Sequence, residues 1–426
     1  MNVIQTVSVS IFALTLILIA TEKFHRTYVA LMGSGAMLLA GAVKAEEVLH
    51  LIDIDILAVI VGMMILVRGA ENSGVFNRIA TKIMKSSRSI NSFAVILMSF
   101  TMVLSILLNN IGAMLISATI TIPMTRSLKL KPDTFLIFQS IIANLGGLML
   151  LMSSIPNIIV AVEGGLSFSS FIIKAAPVGI ILFIFTTLMF IRVLGSELEE
   201  SVVLDLRSME FQDWVKLSIE DFGEEKIEWG QIISAVVMAL TIIGFAVYDL
   251  IGLTPAIVAL AGGLAMILFS GEGPTEYLQG IDWSTIFFLA GLFVIINGMD
   301  NVGLIEMLST RMLDLIEGLH IEKSIAIMWL SALPSGIIDN IPLTATFAPM
   351  ISRWIAEGVS KDVWWGLVLG ANIGGCLTPI GSPSSIIALG VAEQEGYPIS
   401  LSRFLKICLG ITTVNLLIST LYLYLI

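Results

Sequence analysis

The chain is 426 residues long, 57% hydrophobic and only 13% charged, with a mean hydropathy of +0.98. A soluble domain carries roughly one-quarter charged residues, so the composition excludes a soluble protein and predicts an all-α polytopic membrane protein. The net charge of −11 collects in loops rather than on one face; the lipid bilayer is the partner that composition demands, and no nucleic acid is expected.

In chain order, the first apolar run is Val3–Ala20, which lacks a basic leader and a small-residue cleavage site and reads as a retained span. Spans follow near Tyr28–Val43 and Ile54–Ala70, each near the ~20 residues that cross a bilayer. The stretch from Val75 to Arg88 sets Arg78, Lys82, Lys85 and Arg88 around Phe76, Ile79, Ile83 and Met84, as in a helix lying in the interface. Two apolar arms then meet at Asn109-Asn110, a segment from Asp133 is interrupted between Gly146 and Pro156, and a span closes from Phe171 to Leu194. The acidic stretch Gly195–Glu228 reads as a solvated connector. Beyond it the series repeats: Trp229–Tyr248, Thr254–Ser270, Thr285–Gly298, an interfacial stretch from Leu304 to Leu319, arms meeting at Asp339-Asn340, an interrupted segment from Asp362, and a span from Leu401 to Leu425.

The recurrence is one of residues as well as hydropathy. Ile52-Asp53, Gly62, Gly69, Asn72, Gly74 and Thr81 return as Ile281-Asp282, Gly291, Gly298, Asn301, Gly303 and Thr310, all shifted by 229 positions. With small drift, Asn109-Asn110 returns as Asp339-Asn340, Ala143-Asn144-Leu145-Gly146-Gly147 as Ala371-Asn372-Ile373-Gly374-Gly375, and Ser154 as Ser382. A duplication in so apolar a chain predicts a transporter of two repeats, 1–194 and 229–426, joined by 195–228, with its site where they meet.

Basic residues flank both ends of the Asn109-Asn110 arms, which makes them a hairpin. A re-entrant hairpin is preferred because two adjacent amides facing lipid would be unsatisfied. Five true spans then remain per repeat, and an odd number inverts the second repeat. With both chain termini outside and the connector in the cytoplasm, sixteen of the 22 Lys and Arg residues fall inside, against Lys44, Lys174, Arg311, Lys323, Arg353 and Lys361 outside, as the positive-inside rule requires.

Asp339 is the sharpest candidate, a carboxylate midway along an apolar hairpin with no Lys or Arg near it in sequence; such a residue faces a cavity, an ion or a proton path, or caps a helix. Asn340 and Thr344 follow it, and Asn109 and Asn110 are its uncharged counterparts. In the interrupted segments, Asn144, Gly146, Gly147, Ser153, Ser154 and Asn157, with Asn372, Gly374, Gly375, Thr378, Ser382, Ser384 and Ser385, form Gly pairs leading into Ser- and Pro-rich turns. A helix broken inside the membrane frees carbonyls for cations at one half-end and N–H groups for anions at the other. Close packing by Gly and Ser is the alternative. Glu71 and Asp300 share a register but sit at span ends, where interface structure is the better reading. Cys376 and Cys408 lie in apolar stretches and imply no disulfide. The three histidines fall in predicted loops, so neither an intramembrane metal cluster nor a Ser–His dyad is available, and no P-loop exists for ATP-driven pumping.

These hairpin tips and Ala-Asn-x-Gly-Gly segments resemble the ion transporter superfamily, in particular the ArsB/NhaD/P-protein-type permeases, and more distantly the citrate and divalent-anion–sodium symporters. The resemblance spans essentially the whole chain, with one departure at Ile111-Gly112, where relatives commonly carry Pro. It implies two hairpins and two discontinuous helices around a midplane site, a homodimer, and coupling ions, Na⁺ or H⁺, at the tips. Asn109, Asn110, Asp339 and Asn340 are the positions for Na⁺. The function this favours is a non-enzymatic secondary transporter without a cofactor, a Na⁺/H⁺ antiporter in the first instance. The alternative is an anion permease for arsenite-like oxyanions or carboxylates, against which the scarcity of intramembrane basic residues counts.

Overall fold

The computed structural model describes residues 3–21, 23–74, 76, 78–79, 87, 89–127, 130–201, 229–271 and 273–426. Among them every regular element is helical. The first half contains α1 (Val3–Ala20), α2 (Arg26–Leu39), the short α3 (Val48–Leu51), α4 (Ile54–Asn72), α5 (Ile90–Leu107), α6 (Asn110–Ser127), α7 (Asp133–Gly147), α8 (Ile155–Gly164), α9 (Phe168–Lys174) and α10 (Ala176–Ser201). The second contains α11 (Trp229–Ile251), α12 (Pro255–Phe269), α13 (Pro274–Gln279), α14 (Trp283–Asn301), α15 (Leu304–Gly318), α16 (Lys323–Ser335), α17 (Asn340–Ala356), α18 (Val363–Gly374), α19 (Pro383–Gln394) and α20 (Leu401–Leu425). Most of the expected interfacial stretch 75–88 and residues 202–228 of the connector lie outside the described residues.

The two halves are inverted repeats, and their close contacts show it. Helix α4 packs on α12, and α14 on α2. At the first crossing a side chain on Gly62 would strike the backbone of Ala259; at the second, one on Gly291 would strike the backbone of Ala30. Gly62 and Gly291 are 229 positions apart, and so are Ala30 and Ala259, so one contact is the image of the other. Without a hydrophobic force between helices in lipid, backbones approach through small residues. Local signals repeat too. Asp53 and Asp282 cap α4 and α14 by accepting from Ile56 and Thr285 backbone N–H groups. Gly74 and Gly303 both turn the chain at positive φ, 67° and 74°, where only glycine is free of strain.

Each repeat holds a re-entrant hairpin, α5–α6 and α16–α17, and a helix broken in two, α7/α8 and α18/α19. The 13 residues of α16 reach about 20 Å, short of a ~30 Å hydrocarbon core. Both breaks follow one plan: the helix ends at the Gly pair, a single 3-10 turn intervenes (Leu151–Ser153 or Pro379–Gly381), and the chain restarts at a serine cap. Ser154 accepts from Asn157 N–H and Ser382 from Ser385 N–H, with Pro in the first turn of each new helix, where its missing donor costs nothing.

Two expected boundaries move. The closing span of the first repeat is α10, preceded by α9, and α8 and α9 meet at a bend of 114°. Helix α10 continues past Gly195 to Ser201 because Glu197, Glu199 and Glu200 favour helix, and Glu197 is held by Arg403 and Thr134. The connector therefore starts helical. Helix α15 buries Leu304, Ile305, Ser309 and Ile316 and is pinned to the second hairpin, where Ser309 Oγ donates to Met350 O and Trp354 Nε1 to Ser309 O.

Candidate functional site

The tips of the two hairpins and the restarts of both broken helices converge on one cavity of about 220 Å³. Asn109, Asn110 and Gly112 line it from the first hairpin, Asn340 and Ile341 from the second, Ser154 and Pro156 from α8, and Pro383 from α19. Arg26, Arg68, Glu71, Asp282 and Thr285 add charged and polar groups from α2, α4 and α14, and apolar side chains including Met63, Val67, Leu115, Met152 and Ile158 line the rest. Six helices thus begin at the cavity: α2, α6, α8, α14, α17 and α19. Each N-terminus carries roughly half a positive charge, and Asn109, Ser154, Asp282, Asp339 and Ser382 each accept from one first-turn N–H group at five of them. The Oε1 atom of Glu71 lies 2.8 Å from where a side chain on Gly112 would begin, in the first turn of α6, and the Gly112 N–H itself donates to Asn109 Oδ1.

Behind the cavity the two broken helices are knotted by amides and hydroxyls. Asn110 Nδ2 donates to Asn144 Oδ1 at 2.9 Å, and Asn144 Nδ2 donates across the repeats to Ser382 Oγ at 2.8 Å and Cys376 Sγ at 3.3 Å. Ser384 Oγ lies 3.2 Å from Asn144 Oδ1, and Ser382 is within 3.1 Å of both Ser384 and Ser385. From the other direction Asn372 Nδ2 donates to Asn157 Oδ1 at 3.0 Å, while Asn157 Nδ2 ties the Gly147 and Leu150 carbonyls across its own break. Asn144, Asn157, Asn372, Ser382 and Ser384 are all fully buried. Buried polar groups so paired hold a unique arrangement.

The structure therefore divides the residues singled out in sequence. Asn109, Asn110, Ser154 and Asn340 line the cavity; Asn144, Asn157, Asn372, Ser382, Ser384 and Ser385 belong to the knot. Ser153 Oγ donates to Ile106 O, Thr378 Oγ1 to Gly336 O, and Thr344 Oγ1 to Asn340 O, so these three fasten hairpins and turns. The glycines are explained by packing: a side chain on Gly146 would lie 2.7 Å from Ser105 Cβ, on Gly374 2.2 Å from Ala332 O, on Gly147 2.1 Å from Asn110 Oδ1, and on Gly375 2.8 Å from Gly381 O. Close passage of hairpin and turn demands glycine there.

Asp339 is not isolated. Its Oδ2 lies 2.8 Å from Arg26 Nη1, and its Oδ1 accepts from Ile341 N–H at the start of α17. Arg26 Nη2 also donates to Thr285 Oγ1 at 2.9 Å. Of the four residues expected to hold Na⁺, three line the cavity, and the fourth has its charge balanced by the protein. Among the described residues no three His, Cys, Asp or Glu side chains gather as a metal site. The residues that sequence reading passed over are Arg26, Arg68, Glu71 and Asp282; a shared register with Asp300 was the one signal that pointed to Glu71.

A helical membrane protein of two inverted repeats, with hairpin tips and broken helices around a shared cavity, is a secondary transporter by architecture. The comparisons agree. The family model for citrate transporters (CitMHS) matches residues 16–370, and the chain belongs to that family. It is 30% identical to an uncharacterized transporter of Mycobacterium tuberculosis over 99% of this chain and 98% of the relative. It is 27% identical to the P protein of Homo sapiens, covering 98% of this chain and 59% of that one. Its fold is similar to the YdaH transporter of Alcanivorax borkumensis (TM-score 0.60, 14% identity, 99% and 98% coverage) and to MtrF of Neisseria gonorrhoeae (TM-score 0.62, 11% identity, 97% of each). The chain is an integral membrane transporter of a small solute, not an enzyme.

Proposed function

We propose that this protein is a cation-coupled secondary transporter whose cavity takes a small anion, in class a di- or tricarboxylate or an oxyanion. One observation carries the reading: six helix N-termini and two arginines face a cavity of about 220 Å³ whose lining carboxylates are Glu71 and Asp282. N–H groups and helix dipoles at that density favour negative charge. Arg26 and Arg68 supply the basic side chains that the sequence, read alone, places in loops and span ends.

The cavity faces the cytoplasm in this reading, as do the connector and the start of α2, while both termini lie outside. Ion pairs support the sidedness. Arg126–Glu395, Arg403–Asp133 and Arg403–Glu197 join residues assigned to the inner side, and Lys174–Asp362, Lys323–Glu317 and Arg353–Asp300 join residues assigned to the outer. The bacterial plasma membrane is the setting, residues 1–194 and 229–426 are the two repeats, and a homodimer is the working unit. Purified protein in proteoliposomes tests the substrate class: citrate and succinate are expected to accumulate under an inward Na⁺ or H⁺ gradient, with arsenite as the oxyanion arm.

A second reading, Na⁺/H⁺ antiport, is favoured by Glu71, a titratable carboxylate in the cavity wall beside the amides of Asn109 and Asn110. The same vesicles separate the two. Sodium-dependent movement of an internal pH dye without any added anion supports antiport, and its absence with active carboxylate uptake supports the anion.

A further inference from the structure

We propose that Arg26 reads the charge of the substrate and, through Asp339, makes release of the second hairpin conditional on that charge. The proposal rests on the anion reading above. Arg26 is anchored on one side: Nη2 bonds Thr285 Oγ1, Thr285 is itself bonded to Asp282, and the guanidinium carbon lies 5.3 Å from the centre of the Phe288 ring. Thr285, Asp282 and Phe288 all belong to α14 or its cap, and α14 packs along α2. The remaining contact, Nη1 to Asp339 Oδ2 at 2.8 Å, joins this frame to the tip of the second hairpin. The side chains are 27% and 13% exposed, so water screens the pair less than it would at the surface. Arg26 also lines the cavity, and an anion entering it meets the same guanidinium that Asp339 holds. The other charged groups facing that space are Arg68, Glu71 and Asp282.

The repeats show that this bond belongs to one conformation. Asp339 corresponds to Asn109 and Arg26 to Pro255, so the symmetry-related pair carries neither charge. In an inverted-repeat transporter the opposite-facing state is approximated by exchanging the conformations of the two repeats. After the exchange the matching contact joins Asn109 to Pro255, which cannot form an ion pair. The state described here therefore has a bond that the other lacks. A carboxylate taking one face of Arg26 competes with Asp339 and frees the hairpin; an empty cavity restores the bond. A cation has no such effect, and an unloaded carrier reorients more slowly than a loaded one.

The test uses a reporter placed by the same register. Asn297 corresponds to Arg68 and here donates to Leu51 O and Phe293 O, so it is expected to line the cavity only in the exchanged state. Asn297→Cys in proteoliposomes is labelled with an impermeant maleimide from the side opposite the present cavity; Cys376 and Cys408 are buried and serve as the silent background. Labelling is expected to be slow without anion and about tenfold faster with saturating citrate or succinate, a usual size for coupling between sites. With Asp339→Asn added, which preserves a capping side chain, labelling is expected to be fast without anion and unchanged by it. Arg26→Gln, a second break of the same bond, is expected to do likewise. Slow labelling in both variants overturns the lock. Fast labelling in both, with no effect of either carboxylate on the parent, leaves the lock standing and overturns the anion reading together with the sensing role of Arg26.

Discussion

The two hairpin tips are built on one plan and finished differently. In each, a serine of the first arm reaches the broken helix: Ser105 Oγ donates to Ala143 O, and Ser335 Oγ to Ala371 O. Each tip also caps its second arm, Asn109 Oδ1 accepting from Gly112 N–H and Asp339 Oδ1 from Ile341 N–H, and beyond these bonds the likeness ends. Asn110 closes on Asn144 within its own repeat, with Ser105 Oγ 3.3 Å from Asn110 Oδ1. Asn340 makes no matching bond to Asn372, whose Oδ1 is buried without a partner, and the neighbouring Asp339 reaches instead to Arg26. The first tip is fastened inside its own body, and the second is fastened across to the other. Duplication supplied the frame, and divergence of a few polar residues at the tips supplied the directionality.

The largest effect is expected where the shared frame is broken. Gly374→Leu drives a side chain into the Ala332 backbone, and Gly146→Leu into Ser105. Overpacking typically costs about 1–3 kcal/mol, and contact with backbone places Gly374→Leu at the upper end. Thermal unfolding of the purified proteins should rank Gly374→Leu below Gly146→Leu, and both below the parent; equal stability to the parent would mean that the hairpins lie farther from the broken helices.

Next comes the charge in the cavity. Arg68→Gln should raise the KM for carboxylate uptake roughly tenfold with little change in stability, since a bond to a charged group contributes about 1.5–3 kcal/mol. An unchanged KM would remove Arg68 from the anion path. The tips themselves are compared by Asn110→Ala and Asn340→Ala. The first deletes a donor to buried Asn144 and should lower stability by about 1–2 kcal/mol. The second should leave stability nearly unaltered and change transport instead. Similar melting losses in both would erase the distinction drawn between the tips.

Much of the frame was legible in the sequence because it is written in local chemistry. Gly pairs, serine caps and Pro after the cap mark both breaks at the residues where they occur, and the shift of 229 positions pairs Gly62 with Gly291 before any contact is seen. The site was legible only in part. Asn109, Asn110 and Asn340 declare themselves as amides in apolar arms. Arg26 and Asp339 are 313 residues apart, and no local pattern announces a partner at that separation. Glu71 sits at the end of a span, where a carboxylate is unremarkable until the tip of the first hairpin is found beside it. The glycines at 146 and 374 mark a close approach, but spacing alone cannot tell a ligand from a neighbouring helix.

The smallest effect is expected far from the tips. Lys174 bonds Asp362 where the second broken helix begins and holds its carboxyl below the usual value near 3.8. A depressed carboxyl contributes stability that is complete above its unfolded pKa and lost as pH falls through the folded one. Lys174→Met should therefore cost about 0.5 kcal/mol at neutral pH, the pair being largely open to water, and progressively less as the pH falls below 3.8 and the carboxyl takes up its proton. Melting curves at neutral and acid pH measure the difference directly.

The knot of amides also bears on how the protein is made. Asn144 finds partners in Ser382, Ser384 and Cys376, and Asn157 in Asn372, all of them supplied by the second repeat. A ribosome releases the first half long before those groups exist. Until then Asn144 and Asn157 sit in the bilayer with bonds only to their own repeat. Native closure of the first broken helix thus waits on synthesis through residue 384, which makes the two repeats one folding unit despite their duplicated plan.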